Sequence, residues 1–189
     1  MRHLRAVDRA TTPWKNGGGV TSEIVVYPDC AGFLEFDWRI SIATVERDGP
    51  FSIFPGIDRT LTLLTGNGVR LDIAGKQQIL TRQSPPCSFP GDVAAAAFLL
   101  DGPITDLNVM SRRGKIRHSV TRLGPNASII VAEASVLLWI DGTGEVATPT
   151  GSTKPDKLDA LVCPEAGEWR IDGDLATLAY LVGFAPTTA

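Results

Sequence analysis

Histidine is almost missing from this sequence: His3 and His118 are the two in 189 residues, and neither has a partner at ligand spacing. A two- or three-histidine metal centre is therefore excluded, and both side chains are assigned to the surface. A carboxylate-only site is the one metal arrangement left open, and no metal or cofactor is expected. Cysteine is scarce as well. Cys30, Cys87 and Cys163 form no CxxC pair and leave one thiol over in any disulfide scheme, which fits a reducing cytoplasm. There is no GxSxG elbow and no cysteine in a recognisable Cys/His setting, so nucleophilic catalysis has no motif behind it. The longest apolar run, Val93 to Leu100, is too short to cross a bilayer, and the opening MRHLRAVDR has charge without the apolar stretch of a secretory signal. Positive charge is not in excess. With 21% charged residues and a net charge of -3, the chain lacks the concentrated basic surface that nucleic-acid binding needs. The local exception, Ser111 to His118 (SRRGKIRH), reads as a solvated connector.

Glycine and proline, by contrast, punctuate the whole chain, at 19 and 13 residues. Between them recur short apolar or alternating runs: Glu23 to Tyr27, Trp38 to Val45, Thr60 to Leu64, Val69 to Ile73, Ile129 to Ala132, Val136 to Ile140 and Leu178 to Phe184. No long window keeps helical periodicity with a cap at each end, so the fold class is all-β, a sandwich or barrel of many short strands. The alanines of VAAAAFLL favour helix by propensity, yet its context argues for a strand.

That context is an internal repeat. Gly66 and Gly142, Gly68 and Gly144, Cys87 and Cys163, and Gly91 and Gly167 are all separated by the same interval, 142 − 66 = 76. LLTGNGV, CSFPGD and a run ending FLLDG in the first copy answer to LWIDGTGEV, CPEAGE and LAYLVG in the second, in the same order. One all-β unit has been duplicated. The two thiols at equivalent places, Cys87 and Cys163, suit a packing role.

Each copy has a GxG turn followed by a glycine beside an acid, Gly91-Asp92 or Gly167-Glu168. This resembles the cupin barrel, in which two motifs are separated by a hairpin; here the corresponding stretch is GPFSIFPGIDRTLTLLTGNG, Gly49 to Gly68. A typical cupin would carry two histidines and a glutamate near Pro55 to Thr62 and a further histidine after the Pro-Gly turn, and none is present. More specifically, WKNGGGVTSEI, DWRISIATVERDGPFSIFPGIDRTLTLLTGNG, FPGD and DLNVMSRRG look like the HutD/Ves family of bicupin-like proteins. The resemblance runs from about Trp14 to Gly114. It implies tandem cupin-like (double-stranded β-helix) barrels, residues 1–115 and 116–189, packed as one compact unit. For the HutD branch it also implies an association with bacterial histidine utilisation.

Polar residues set within the β segments are the candidate ligand contacts. In TPWKNGGGVTSEI, the glycines allow close backbone approach, while Lys15 and Asn16 supply a charge and an amide; an anion pocket and a simple tight turn both fit. Thr21 and Glu23 follow, with an ion pair to a nearby arginine as the alternative for Glu23. In WRISIATV, Arg39, Ser41 and Ala43 share one face, toward either a barrel lumen or solvent. Arg59 shares a face with Leu61 and Leu63, at the mouth or interior of the first barrel, with a surface pair to Asp58 or Glu46 as the alternative. The second copy has Ser135 at 59 + 76, so barrel construction does not demand an arginine there, and carboxylate recognition is favoured. Asn108 and Met110, alternating with Leu107 and Val109, add a donor-acceptor and an adaptable apolar wall.

The expectation is a small-molecule binding protein with its pocket in the first barrel. By resemblance, the ligand would be a histidine-pathway carboxylate such as urocanate or an N-formyl or formimino derivative of glutamate, and the role regulatory. The alternative is a metal-free isomerase or hydrolase acting on such a compound, with Glu23 or Lys15 as general acid/base. A structural interaction module without saturable ligand binding is the third class. No nucleic acid or membrane partner is expected, and a homodimer is compatible with this reading.

Overall fold

A computed structural model of the chain describes residues 1–32, 35–131, 134–163 and 166–187, the side chain of Cys163 excepted. Among the described residues there is no α-helix, only strands and one short 3-10 turn at Ala6–Asp8. Strand β1 (Arg2–Leu4) opens the chain. It is followed by β2 (Thr11–Pro13), β3 (Gly19–Tyr27), β4 (Trp38–Val45), β5 (Gly49–Pro50) and β6 (Ile57–Thr65). Then come β7 (Val69–Ile73), β8 (Lys76–Leu80), β9 (Cys87–Pro90), β10 (Ala95–Leu99) and β11 (Ile104–Arg112). The second half holds β12 (Ile116–Leu123), β13 (Ser128–Val131), β14 (Ala134–Asp141) and β15 (Gly144–Thr148). It ends with β16 (Gly151–Thr153), β17 (Ala160–Cys163), β18 (Gly167–Gly173) and β19 (Leu178–Pro186).

Two compact units result, each built from a pair of antiparallel sheets. In the unit Ala10–Ile116, a sheet ordered β2-β3-β4-β11-β6-β9 and a sheet ordered β5-β10-β7-β8 enclose Val45, Leu61, Leu63, Val69, Leu71, Phe89 and Ile104. The other unit takes the sheets β1-β17-β14-β19-β12 and β13-β18-β15-β16 around Leu137, Trp139, Val146, Leu161, Trp169 and Ile171. The expected division at residues 115 and 116 needs a correction at the amino terminus. Met1–Arg9 belongs to the second unit, because β1 pairs with β17 and Asp159 accepts hydrogen bonds from His3 Nε2 (2.6 Å) and the Ala6 amide (2.7 Å).

The expected strands at Trp38 to Val45 and Val69 to Ile73 coincide with β4 and β7. The alanine-rich run forms β10, paired along its length with β7. Its small side chains Ala95 and Ala97 fill the space left by larger neighbours, so packing overrides propensity. Ala132, at the end of one expected strand, and the Cys163 side chain lie outside the described residues. The basic stretch Ser111 to His118 is not a loose connector. It is the end of β11, a tight turn and the start of β12, strands of different sheets, and its charges are paired: Arg113 with Asp58 and Asp92 (2.8 Å each) and Lys115 with Asp37 (2.7 Å).

The duplication extends to the strand register. Leu63 pairs with Asp106 and Trp139 with Ala179, and just beyond each pair the ladder slips, to Thr65 with Thr105 and Asp141 with Leu178. Equivalent positions are thus 139 − 63 = 76 apart in β6 and β14, and 179 − 106 = 73 apart in β11 and β19.

Candidate functional site

Strands β3, β4, β11 and β6 are consecutive neighbours, so side chains of one pleat side line up in rows across all four. Leu61, Leu63 and Val45 belong to the hydrophobic interior, which fixes that side as the inside of the first barrel. One row runs Glu23, Ser41, Asn108, Leu61; the next runs Thr21, Ala43, Asp106, Leu63. A third places Arg39, Met110 and Arg59 side by side. Seven of the expected residues, Thr21, Glu23, Arg39, Ser41, Arg59, Asn108 and Met110, therefore share the interior side of one sheet.

Arg59 is 3% exposed, and its guanidinium carbon lies 5.1, 5.5 and 5.2 Å from the ring centres of Phe51, Phe54 and Phe89. The motifs GPFSIFPG and FPGD build this aromatic cage. Backbone hydrogen bonds from Phe54 to Gly91 (2.8 Å) and from Gly91 to Ile57 (2.7 Å) hold the two turns over the start of β6. Gly91 is required there: a Cβ would come within 2.9 Å of the Ile57 carbonyl oxygen and 3.1 Å of Arg59 Cδ. Despite burial, the guanidinium makes one long hydrogen bond among the described residues, Nη1 to the Ser52 carbonyl at 3.4 Å, and Nε has no partner there. Burial lowers its pKa to about 10, with nearby Asp106 working against that shift and Arg39 adding to it. It remains a cation at neutral pH.

Asp106 is the interior residue that sequence reasoning missed. It alternates with Asn108 and Met110 along β11, so the same period-two pattern contained it. At 1% exposure neither carboxylate oxygen has a hydrogen-bond partner among the described residues, and the Asn108 side-chain oxygen has none either. Burial raises the Asp106 pKa to about 7 against the attraction of Arg59. Nearer the rim, Glu23 accepts a hydrogen bond from Arg39 Nε at 2.8 Å, with side chains 47% and 12% exposed. The ion-pair alternative for Glu23 is thus realised, and the carboxylate that the enzyme reading takes as a general base is engaged by Arg39. Thr21 accepts from Trp14 Nε1 at 2.8 Å. Met110 is buried with Phe54, Phe36, Val26 and Ile57 beneath the arginine.

Lys15 and Asn16 are placed differently from the inward-facing wall that the anion-pocket reading requires. Trp14 to Gly17 form a turn, with the Gly17 amide donating to the Trp14 carbonyl (3.0 Å) and the Trp14 amide to the Gly19 carbonyl (2.9 Å). The Asn16 side-chain oxygen accepts from the Gly18 amide at 3.0 Å, so the amide serves its own turn. Both residues are exposed. The glycines close a β2–β3 hairpin, and Gly19 lets β3 approach β4, where a Cβ would lie 2.2 Å from the Thr44 carbonyl oxygen.

The donor set of this interior does not fit the transition metal familiar from cupin barrels: it has no imidazole, and a buried guanidinium occupies the row. Among the described residues, no group of three or more His, Cys, Asp or Glu side chains is arranged to hold a metal ion. Among the described residues, no helix is long and apolar enough to cross a membrane.

The HutD family model matches residues 6–179. The chain belongs to the HutD family. Among relatives, Protein Ves of Citrobacter koseri is 30% identical over 186 residues, covering 93% of this chain and 92% of that protein. A 21.2 kDa protein of the hutC 3′ region of Pseudomonas putida is 35% identical over 139 residues, 74% of this chain and 73% of that one. The solved structure of HutD from Pseudomonas fluorescens SBW25 has a TM-score of 0.83 at 28% identity and covers 99% of each chain. HutD proteins share the cupin fold with more distant structures. Oxalate decarboxylase of Bacillus subtilis, at 8% identity and TM-score 0.69, covers 100% of this chain and 79% of that one, a likeness of fold alone.

Proposed function

We propose that this HutD-family chain binds a small carboxylate inside its first barrel, with Arg59 as the anchor, and that binding regulates histidine utilisation. The observation that carries this reading is a buried guanidinium, caged by three aromatic rings, with a single long hydrogen bond to backbone. Burying a cation is costly unless a counter-charge is supplied, and the planar fork of arginine matches a carboxylate. The second barrel has no comparable demand: Ser135, Ala179 and Leu181 stand where the first has Arg59, Asp106 and Asn108, and Trp139 fills the space beside them. The link to histidine metabolism rests on kinship with HutD and with the protein of the hutC 3′ region. A pathway intermediate such as urocanate or an N-formyl or formimino derivative of glutamate offers the required carboxylate.

A thermal-shift screen of small carboxylates and histidine-pathway intermediates, followed by calorimetric titration, tests this. Arg59→Ala should lose about 1.5–3 kcal/mol of affinity, roughly tenfold or more, and Arg59→Lys should recover part of it. Undiminished binding by Arg59→Ala would remove Arg59 as the anchor.

A further inference from the structure

Hydrogen-bonding capacity inside the first barrel is lopsided. Among the described residues, the unpartnered buried atoms on the interior rows are one donor, Arg59 Nε, and three acceptors, Asp106 Oδ1, Asp106 Oδ2 and Asn108 Oδ1. A plain carboxylate brings acceptors only. It would satisfy Arg59 and leave the other three bare, and buried polar groups in native proteins are seldom left so.

We infer that the ligand is bipolar, its carboxylate held by Arg59 and a nitrogen cation bearing N–H donors, an ammonium, amidinium or imidazolium, held by Asp106 and Asn108. This rests on the carboxylate-binding reading above and narrows it. Asp106 and Asn108 are two residues apart on β11, so their side chains project from the same side of the strand about 7 Å apart. Arg59 stands opposite Met110, the next residue of that row. A small molecule of a few carbons therefore meets the acid and amide at one end and the arginine at the other. Its two charges answer Asp106 and Arg59, while the remaining charged pair, Glu23 and Arg39, is already matched internally. The second barrel supports treating the three polar residues as one device, because it replaces all of them, by Ser135, Ala179 and Leu181.

The pH dependence of affinity should have opposite sign for the two ligand classes. A cation on Asp106 requires the ionised carboxylate, so affinity for bipolar ligands whose cation keeps its proton at pH 8, an ammonium or amidinium, should rise as pH increases through the region around 7, whereas an imidazolium loses its own proton there. A plain carboxylate gains from a protonated Asp106, which does not repel it, and its affinity should fall over the same range. The charged groups facing Asp106 from neighbouring strands are Arg59, Arg39 and Glu23.

Calorimetric titration of the full chain with matched pairs decides the matter: ω-amino carboxylates and ω-amidino carboxylates of three to six carbons, each against its unsubstituted carboxylate. At pH 8 the nitrogen-bearing member of the best pair should bind wild type about tenfold or more tightly than its partner. Asp106→Asn, nearly isosteric, should bring the two members to within about threefold of each other, on the same energy scale. Asn108→Leu, which installs the residue of the matching second-barrel position, should narrow the preference as well. Thermal melts establish that each variant is folded. If plain carboxylates bind through Arg59 and the nitrogen-bearing members gain nothing, or if their advantage survives Asp106→Asn, this inference alone is overturned. If no member of any pair binds wild type, the carboxylate reading falls and takes this inference with it.

Discussion

Arg59 and Asp106 stand on hydrogen-bonded neighbouring strands and project into the same barrel interior, yet no hydrogen bond joins them. A fold that needed this pair for stability would bring the fork and the carboxylate together, because a buried ion pair offsets its desolvation only with good geometry. Their separation leaves both groups open to a third participant.

The Asp106 carboxyl makes stability depend on pH in an unusual direction. Its folded pKa, raised to about 7 by burial, lies above the ordinary carboxylate value, so the folded chain holds a proton that the unfolded chain releases. The stability associated with that proton is fully present below about pH 4 and lost as pH rises to about 7, by at most about 4 kcal/mol. Asp92, Glu168 and Asp174 act in the opposite sense. Hydrogen bonds from Arg113, Arg170 and Thr143 lower their pKa values, so their contribution disappears on acidification. Urea melts across pH 4–8 should therefore show Asp106→Asn gaining on wild type as pH rises. Parallel curves would show that Asp106 titrates as an ordinary acid.

Arg59→Met should keep the fold while losing the ligand. The guanidinium gives up water for one long hydrogen bond and three ring faces, and an apolar side chain of similar length suits the same cage. Its urea midpoint should correspond to a stability within about 1 kcal/mol of wild type, or above it. A loss of about 3 kcal/mol or more would make the cation–ring contacts a structural necessity.

Gly91→Ala should harm both stability and binding. The new methyl would collide with the Ile57 carbonyl at 2.9 Å and press on the Arg59 stem, so a cost of about 1–3 kcal/mol is expected, with weaker carboxylate affinity. Gly49→Ala is the control, since nothing lies within 4 Å of its added Cβ. Melts and titrations of the two variants side by side separate crowding of the cage from a general glycine effect.

The WKNGGG turn should matter to the hairpin and not to the ligand. Asn16→Ala removes the side-chain bond to the Gly18 amide and should lose about 0.5–1.5 kcal/mol of stability. Lys15→Ala, on an exposed turn, should stay within about 0.5 kcal/mol. Ligand affinity unchanged in both would separate this segment from the site; a tenfold loss in Lys15→Ala would return it there.

Alternation made much of the interior legible before any coordinates. WRISIATV fixed which residues share a face, and Leu61 and Leu63 indicated the direction of Arg59. What alternation cannot specify is which face is enclosed, since a period-two strand reads the same from either side. Asp106 escaped attention because a single acid between Thr105 and Leu107 looks like any solvated carboxylate until burial removes its water. The opposite error occurred at Lys15 and Asn16, where a charge and an amide beside glycines suit an anion and a turn equally well. The hydrogen bond from Gly18 to Asn16 decided for the turn. The amino-terminal strand was hidden for another reason: its partner β17 lies more than 150 residues away, and pairing at that distance leaves no local pattern.

The four tryptophans provide the molecule with its own optical labels, and Trp38, buried on the outer face of β4 and stacked on Tyr27, belongs to the steady background. Trp139 and Trp169 are sealed in the second barrel at 0% and 1% exposure, where emission should be blue-shifted and inaccessible to a dissolved quencher. Trp14 instead packs against the interior of the first barrel and holds Thr21 through its indole N–H at 2.8 Å. Iodide or acrylamide should therefore distinguish a protected signal from an accessible one, and a ligand entering the first barrel should alter the Trp14 contribution over a steady background. In Trp14→Phe that response should vanish while the protected emission remains.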